Sequence, residues 1–183
     1  MSQLESPRLT VPVGPDDHIR GGPETAPMTL VEYGDYECPY CGAAYPIVKE
    51  LQRTLGDELR SVFRNFPLGD MHPHAVQAAE AAEAAAAQGR FWEMHDRLYE
   101  HQDRETTDDL IEHAQALGLD VERFRSDLGE HTYEPTIQAD FLSGVRSGVN
   151  GTPTFYVNGV RHDDSYDPET LIAALRRAAG QSS

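Results

Sequence analysis

The sequence predicts one α/β domain built from a β–α–β unit, a block of helices, a β-hairpin and a last helix. Three observations predict it. The hydrophobic period switches from strand-like to helical just after Cys38 and returns to strand chemistry at Leu59. An alanine-rich middle reads as helix throughout. The dipeptide Asn158-Gly159, between "TFYV" and "VRHD", is a hairpin turn signal. The length, 183 residues, suits one domain or one domain carrying an insertion.

The elements follow in order. Residues 1–27 form an arm rich in Pro, Gly and Asp, in which "RLTVPV" alternates weakly and suits a short edge strand that tolerates Pro12. Neither His18 nor Arg20 in this arm takes a role. Residues 28–68 hold the β–α–β unit. "MTLVEYGD" is apolar and β-branched until Gly34 breaks it. Ala44, Ile47, Val48, Leu51 and Leu55 keep helical spacing up to Gly56, and "LRSVFRNFPL" is the second strand. Residues 69–148 are helical. "HPHAVQAAEAAEAAAAQG" ends at glycine, and "FWEMHDRLYEH" repeats the helical spacing. "TTDDLIEHAQALG" opens on a capping box of Thr106 and Asp109. "DVERFRSDL" adds a short helix, and Tyr133, Ile137, Phe141 and Val145 make one stripe on the next. Residues 149–183 supply the hairpin and a helix that starts with Asp167 as N-cap and Pro168 at its first position.

Composition narrows the function. Hydrophobic residues are 39% of the chain, enough for an ordinary core. Lys+Arg is 15 against 31 for Asp+Glu, a net charge of −16, and Lys49 is the only lysine. Nucleic acid and anionic membrane surfaces reward basic patches, so neither is expected as a partner. The acidic, lysine-poor surface fits salt adaptation and codon bias equally well. No run reaches the roughly 18 apolar residues of a spanning helix. The arm has no apolar core of a secretory signal, so a soluble, cytoplasmic protein is expected. Disulfides there are usually transient and catalytic.

The two cysteines, Cys38 and Cys41, lie in "YGDYECPYCG" at the strand-to-helix junction. Three chemistries compete for a CxxC pair. Structural zinc needs four ligands, and His72 and His74 could complete the set, but the long gap and H-x-H spacing fit poorly. A cytidine-deaminase site needs its proline before the pair, whereas Pro39 lies inside it. Two buried free thiols would require neither Pro39 nor a helix start. The redox reading has a mechanism. Unpaired N–H groups and the helix dipole favour a thiolate at Cys38. Pro39 suits the first helical turn. Cys41, one turn further in, is placed to resolve a mixed disulfide on Cys38. Thr152-Pro153 stands directly before a strand, where a proline must face an open edge or a ligand. By its residues alone it reads as an ordinary trans bond.

Three stretches, "VEYGDYECPYCG", "HPHAVQAAEAAEAAAAQGRFWEMHDRLYEH" and "SGVNGTPTFYVNGVRHD", appear in the order found in one family. From Met28 to Ala179 the chain resembles the DsbA-like thioredoxin-fold protein disulfide oxidoreductases, in their short single-domain bacterial and archaeal branch. The resemblance implies a thioredoxin fold with a helical insertion, and a cis Pro153 beside the active site with Thr152 offering backbone groups to a substrate. It implies that Glu32 is a buried acid that moves a proton to or from Cys41. Pro39, Tyr40 and Tyr36 are candidate substrate-binding residues, the tyrosines as an apolar rim, with plain core packing an equal alternative for Tyr36. No cofactor is implied beyond the Cys38–Cys41 couple, and no metal. The partners implied are protein or small-thiol disulfide clients and a recycling redox partner. Direction stays open. Tyr40, where strong oxidases carry histidine, gives the dipeptide that glutaredoxins use, and Thr152 resembles reductases and isomerases, while the insertion belongs to the oxidase lineage. Asp35 reads as a loop cap, and the histidines His72, His74, His95, His101 and His113 as structural. A client-binding module without turnover, a CxxC zinc module and a glutathione-transferase-like relative are the alternatives, the last disfavoured because conjugation needs no second cysteine.

Overall fold

The computed structural model describes residues 5–181; the first four residues of the arm and the last two of the chain lie outside that range. The strands and helices run in the predicted order, with one addition. Strand β1 is His18–Gly21, ahead of β2 at Met28–Gly34. Helix α1 is Pro39–Leu55, with Pro39 at the position where a missing N–H costs nothing. A short 3₁₀ turn leads to β3 at Leu59–Asn65. Five helices follow: α2 (Ala75–Ala86), α3 (Phe91–Glu100), α4 (Thr107–Ala116), α5 (Val121–Gly129) and α6 (Glu134–Ser147). The chain closes with β4 (Thr154–Val157), β5 (Val160–His162) and α7 (Pro168–Ala178). Predicted caps form. Thr106 and Asp109 make a capping box on α4, and the Asp167 side chain accepts from the Thr170 N–H on α7. Asn158 and Gly159 both have positive φ, 45° and 83°, as the hairpin turn requires.

The five strands make one sheet in the order β1-β3-β2-β4-β5. The β1/β3, β2/β4 and β4/β5 pairs are antiparallel. The β2/β4 register sets Leu30 opposite Val157, Glu32 opposite Phe155 and Tyr33 opposite Thr154. Met28, Leu30, Ala44, Leu51, Leu55, Leu59, Phe155, Val157, Leu171 and Leu175 form one buried cluster from the sheet, α1 and α7. Each large side chain contributes roughly 1.5–3 kcal/mol by leaving water.

By compactness the chain divides into two units. A sheet unit holds residues up to Tyr33, Ala43–Arg64 and the chain from Leu142 onward; a helical unit holds Gly34–Gly42 and Asn65–Phe141. The segment with both cysteines belongs to the helical unit.

Four expectations need correction. The edge strand is His18–Gly21, and "RLTVPV" contributes only a bridge from Arg8 to Val160. Its Val11 and Pro12 carbonyls instead accept from the buried Arg64 guanidinium, which also holds Asp17 and the Tyr33 hydroxyl. Arg20, given no role, sits in that strand opposite Ser61. Strand β3 stops at Asn65, whose N–H donates to Asp140, and Pro67 has no N–H to extend a ladder. Helix α2 starts at Ala75, because His72 and His74 are taken up by carboxylates described below. Along α6, Ile137 is buried but Val145 is exposed. Steps of four residues advance about 40° beyond a full turn each, so the stripe drifts off its face.

Candidate active site

The strand β2 delivers the chain into a tight turn whose centre is Asp35. Its Oδ1 accepts from the N–H of Glu37 at 2.8 Å and from that of Cys38 at 3.2 Å. Its Oδ2 accepts from the Leu68 N–H at 2.9 Å and from His72 Nδ1 at 2.8 Å. A buried carboxylate with four donors is fully satisfied, and it fixes the backbone that presents Cys38 to the start of α1. Glu37 is held in turn by the His74 main-chain N–H and by His74 Nδ1, the latter at 3.0 Å. The two histidines therefore bond to carboxylates, one each. Among the described residues no group of three or more His, Cys, Asp or Glu is arranged to hold a metal ion.

From the other side of the turn Gln102 closes the cradle. Its Nε2 donates to the carbonyls of Tyr36 and Cys38, both at 2.9 Å. Gly42 lets it do so. A Cβ built there would lie 2.1 Å from Gln102 Oε1, closer than atoms approach.

Neither Cys38 nor Cys41 is in a disulfide in this structure. Both residues are buried, Cys38 at 3% exposure and Cys41 at 0%. Cys38 precedes the first helical residue, Pro39, and the Gly42 N–H bonds its carbonyl. Unpaired N–H groups of the first turn and the helix dipole favour a thiolate at this position. Tyr40, inside the motif, is 67% exposed, and Pro39 is exposed beside it. Tyr36 is not a rim residue. It is buried, its hydroxyl bonded to His95 Nδ1 at 2.9 Å and its ring packed on Tyr99. The core alternative for Tyr36 is the correct one.

Glu105 lies buried in this unit, and neither carboxyl oxygen has a hydrogen-bond partner. Burial, reinforced by the charges of Glu37 and Asp35, pushes its pKa up to about 9, so it is neutral at pH 7. Burial alone would lower the His72 pKa. The Asp35 hydrogen bond and charge, with smaller pulls from Cys38 and Glu37, outweigh that and raise it.

The remaining expected residues lie in the sheet unit. Glu32 is buried in β2. Thr152 and Pro153 directly precede β4 and are half-buried, and the peptide between them is cis. The register sets Thr154 opposite Tyr33, five residues before Cys38 in the chain.

Sequence reasoning undervalued Asp35 and His72 and missed Glu37, Gln102 and Glu105. For Asp35 a signal existed: an aspartate three residues before a helix-opening cysteine has the spacing of an N-cap. Gln102 and Glu105 sit in the loop after α3, 64 and 67 positions beyond Cys38, and no local pattern points to them.

The thioredoxin family's sequence profile matches residues 15–177. A Na(+)/H(+) antiporter NhaA 3 of Salinispora tropica is 53% identical over 171 residues, covering 93% of this chain but 26% of the relative. This chain thus spans about a quarter of the curated relatives it matches. BdbD from Bacillus subtilis superposes with a TM-score of 0.80 at 23% identity, over 96% of this chain and 97% of that one. A thioredoxin-like oxidoreductase from Silicibacter pomeroyi superposes with a TM-score of 0.78 at 28% identity, over 92% and 95%. Among the described residues no helix is long and apolar enough to cross a membrane. The chain belongs to the thioredoxin family and has the fold of its DsbA-like members, a five-stranded sheet interrupted by five helices between its third and fourth strands.

Proposed function

We propose that this chain is a thiol–disulfide oxidoreductase working through Cys38 and Cys41. The observation that carries the reading is the Cys38 backbone N–H held by Asp35 at the start of α1, with Cys41 one turn inward and fully buried. The Cys38 thiolate attacks one sulfur of a client disulfide and expels the other as a thiolate. Cys41 then loses its proton and attacks the Cys38 sulfur, releasing the client's second thiolate. Two electrons pass from the dithiol to the client, and the Cys38–Cys41 disulfide remains. Run backwards, the same steps oxidise a client dithiol.

Protein disulfides are the favoured clients. Tyr40 and Met71, 67% and 71% exposed, are large apolar side chains beside Cys38 and beside His72 in sequence, as an unfolded client requires. To Glu32 this reading gives the proton transfer that accompanies resolution, supported by its burial. To Thr152 and Pro153 it gives the client's backbone, by family resemblance. A recycling partner of either polarity completes the cycle, and the potential of the couple against that of its compartment decides the direction. In the antiporter-named relatives a region like this one occupies about a quarter of a longer chain, which makes a membrane-linked client a natural first trial.

The test is trapping. Cys41→Ser is expected to accumulate mixed disulfides through Cys38 that reductant releases, while Cys38→Ser traps nothing and loses exchange activity. Exchange that survives in Cys38→Ser removes the reading and leaves a client-binding module, whose protection of clients would persist without both thiols.

A further inference from the structure

The turn that carries Cys38 is acidic. Asp35 and Glu37 precede it, and Glu105 lies close enough to both for their charges to raise its pKa. The whole chain carries a net charge of −16. A thiolate at Cys38 adds one more negative charge to this cluster, so something must offset it. Arg97 bonds to His113, and Arg104 pairs with Asp109 and Glu112. The imidazole of His72 lies near enough to Cys38 for the charges of the two to interact. Asp35 Oδ2 accepts from its Nδ1 at 2.8 Å, while Oδ1 of the same carboxylate accepts from the Cys38 N–H. One carboxylate therefore ties the imidazole and the cysteine into a single hydrogen-bonded unit. Because an ionised carboxylate only accepts, the shared proton sits on Nδ1, and Nε2 is the atom that gains or loses charge.

We propose that His72, oriented by Asp35, is the positioning residue whose positive charge stabilises the Cys38 thiolate. The inference rests on Cys38 being the nucleophile of the proposed function. His72 touches no client. It acts through charge alone, against the opposing fields of Asp35 and Glu37, with His74 bonded to Glu37 and Glu105 held neutral. The coupling is reciprocal: a thiolate at Cys38 must hold the proton on His72 as firmly as His72 holds the thiolate. Reduction of the couple then draws a proton onto His72. Cys38 is most reactive in the pH window above its own titration and below that of His72, and the advantage fades as His72 becomes neutral.

The experiment measures the rate at which iodoacetamide modifies Cys38 across pH in the reduced protein. It compares the native chain with His72→Asn, whose amide keeps a donor toward Asp35 without the charge. An opposite charge within about 4–6 Å shifts a pKa by one unit or more. The variant is therefore expected to hold about tenfold less thiolate in that window, which lowers the reduction potential by about 30 mV if carried fully into the two-electron couple. The reciprocal measurement covers a variant that does not fold: the His72 ring signal, followed by NMR, titrates at lower pH in Cys38→Ser than in the reduced native protein. Superimposable alkylation profiles in the native chain and His72→Asn, or an unmoved His72 titration in Cys38→Ser, overturn the inference. Alkylation needs no turnover, so a chain that fails to exchange disulfides refutes the proposed function separately.

Discussion

The sheet unit and the helical unit bury different chemistry. Around the sheet, the shared core is aliphatic and aromatic: Met28, Leu30, Leu51, Leu55, Leu59, Phe155, Leu171 and Leu175. Its buried cation, Arg64, is satisfied five times over, by Asp17 twice, by Tyr33 and by two carbonyls. The helical unit buries Asp35, Asn65, Glu80, Glu83, His95, Glu105 and His113. Some are well partnered: Asn65 donates to Glu83 and Asp140, and Glu80 bonds the ring of His131. Glu105 is left with neither oxygen bonded. Apolar burial stabilises a fold without regard to pH. Buried ionisable groups cost stability and make it pH-dependent. The sheet unit buries Glu32 and Arg64 as well, so the contrast is one of number: more buried ionisable groups lie in the unit that contains Cys38.

The first way to break the contrast is to damage the sheet core. Leu30→Ala removes a fully buried side chain and leaves a cavity, so unfolding free energy should drop by about 2–5 kcal/mol at every pH. Denaturant titration checks it, and a loss that varied with pH would contradict the division drawn here.

Glu105→Gln sharpens the contrast from the other side. The folded pKa of about 9 stands above the ordinary glutamate value of 4.5, so between those values the native state binds more protons than the unfolded one. Native stability therefore falls as pH rises, by up to about 1.4 kcal/mol per pH unit from this group. The variant cannot ionise. Its stability is expected to lose that slope and to exceed the native value by up to about 3 kcal/mol at pH 7. Equal slopes in the two proteins would mean that Glu105 is charged or solvated in the fold. Thr106→Ala, which removes the capping box of α4, should cost about 1 kcal/mol without any such slope.

Gly42→Ala has the smallest expected effect on stability and the most local one on function. Alanine favours a helix by about 1 kcal/mol over glycine, offsetting some of the clash. The new methyl displaces Gln102 from the carbonyls of Tyr36 and Cys38. Slower exchange with little change in melting temperature is the outcome that fits; unchanged exchange would show that Gln102 is not needed to hold the turn.

Most of the fold was legible because it is locally encoded. The apolar period, the capping box at Thr106, the Asp167-Pro168 start and the Asn158-Gly159 turn each act within a few residues. The placement of the cysteine pair was legible for the same reason, since the switch of period on either side of it marks the strand-to-helix junction. What stayed hidden depends on distant partners. "RLTVPV" alternates like a strand, but Arg64 takes its carbonyls. "HPHAV" looks like the first turn of a helix, but Asp35 and Glu37 hold its histidines out of it. Tyr36 could have faced a client or a core, and only His95 and Tyr99, far along the chain, decide for the core.

The central claim is that Cys38 and Cys41 form a reversible two-electron couple. Its most direct test is to equilibrate the protein against a graded series of thiol–disulfide buffers and count free thiols. A single two-electron transition is expected in which both thiols disappear together, at a potential between about −270 mV, where a reductase would lie, and about −120 mV, where an oxidase would. Two thiols that stay reduced across the whole series, or that are lost independently of one another, would contradict it.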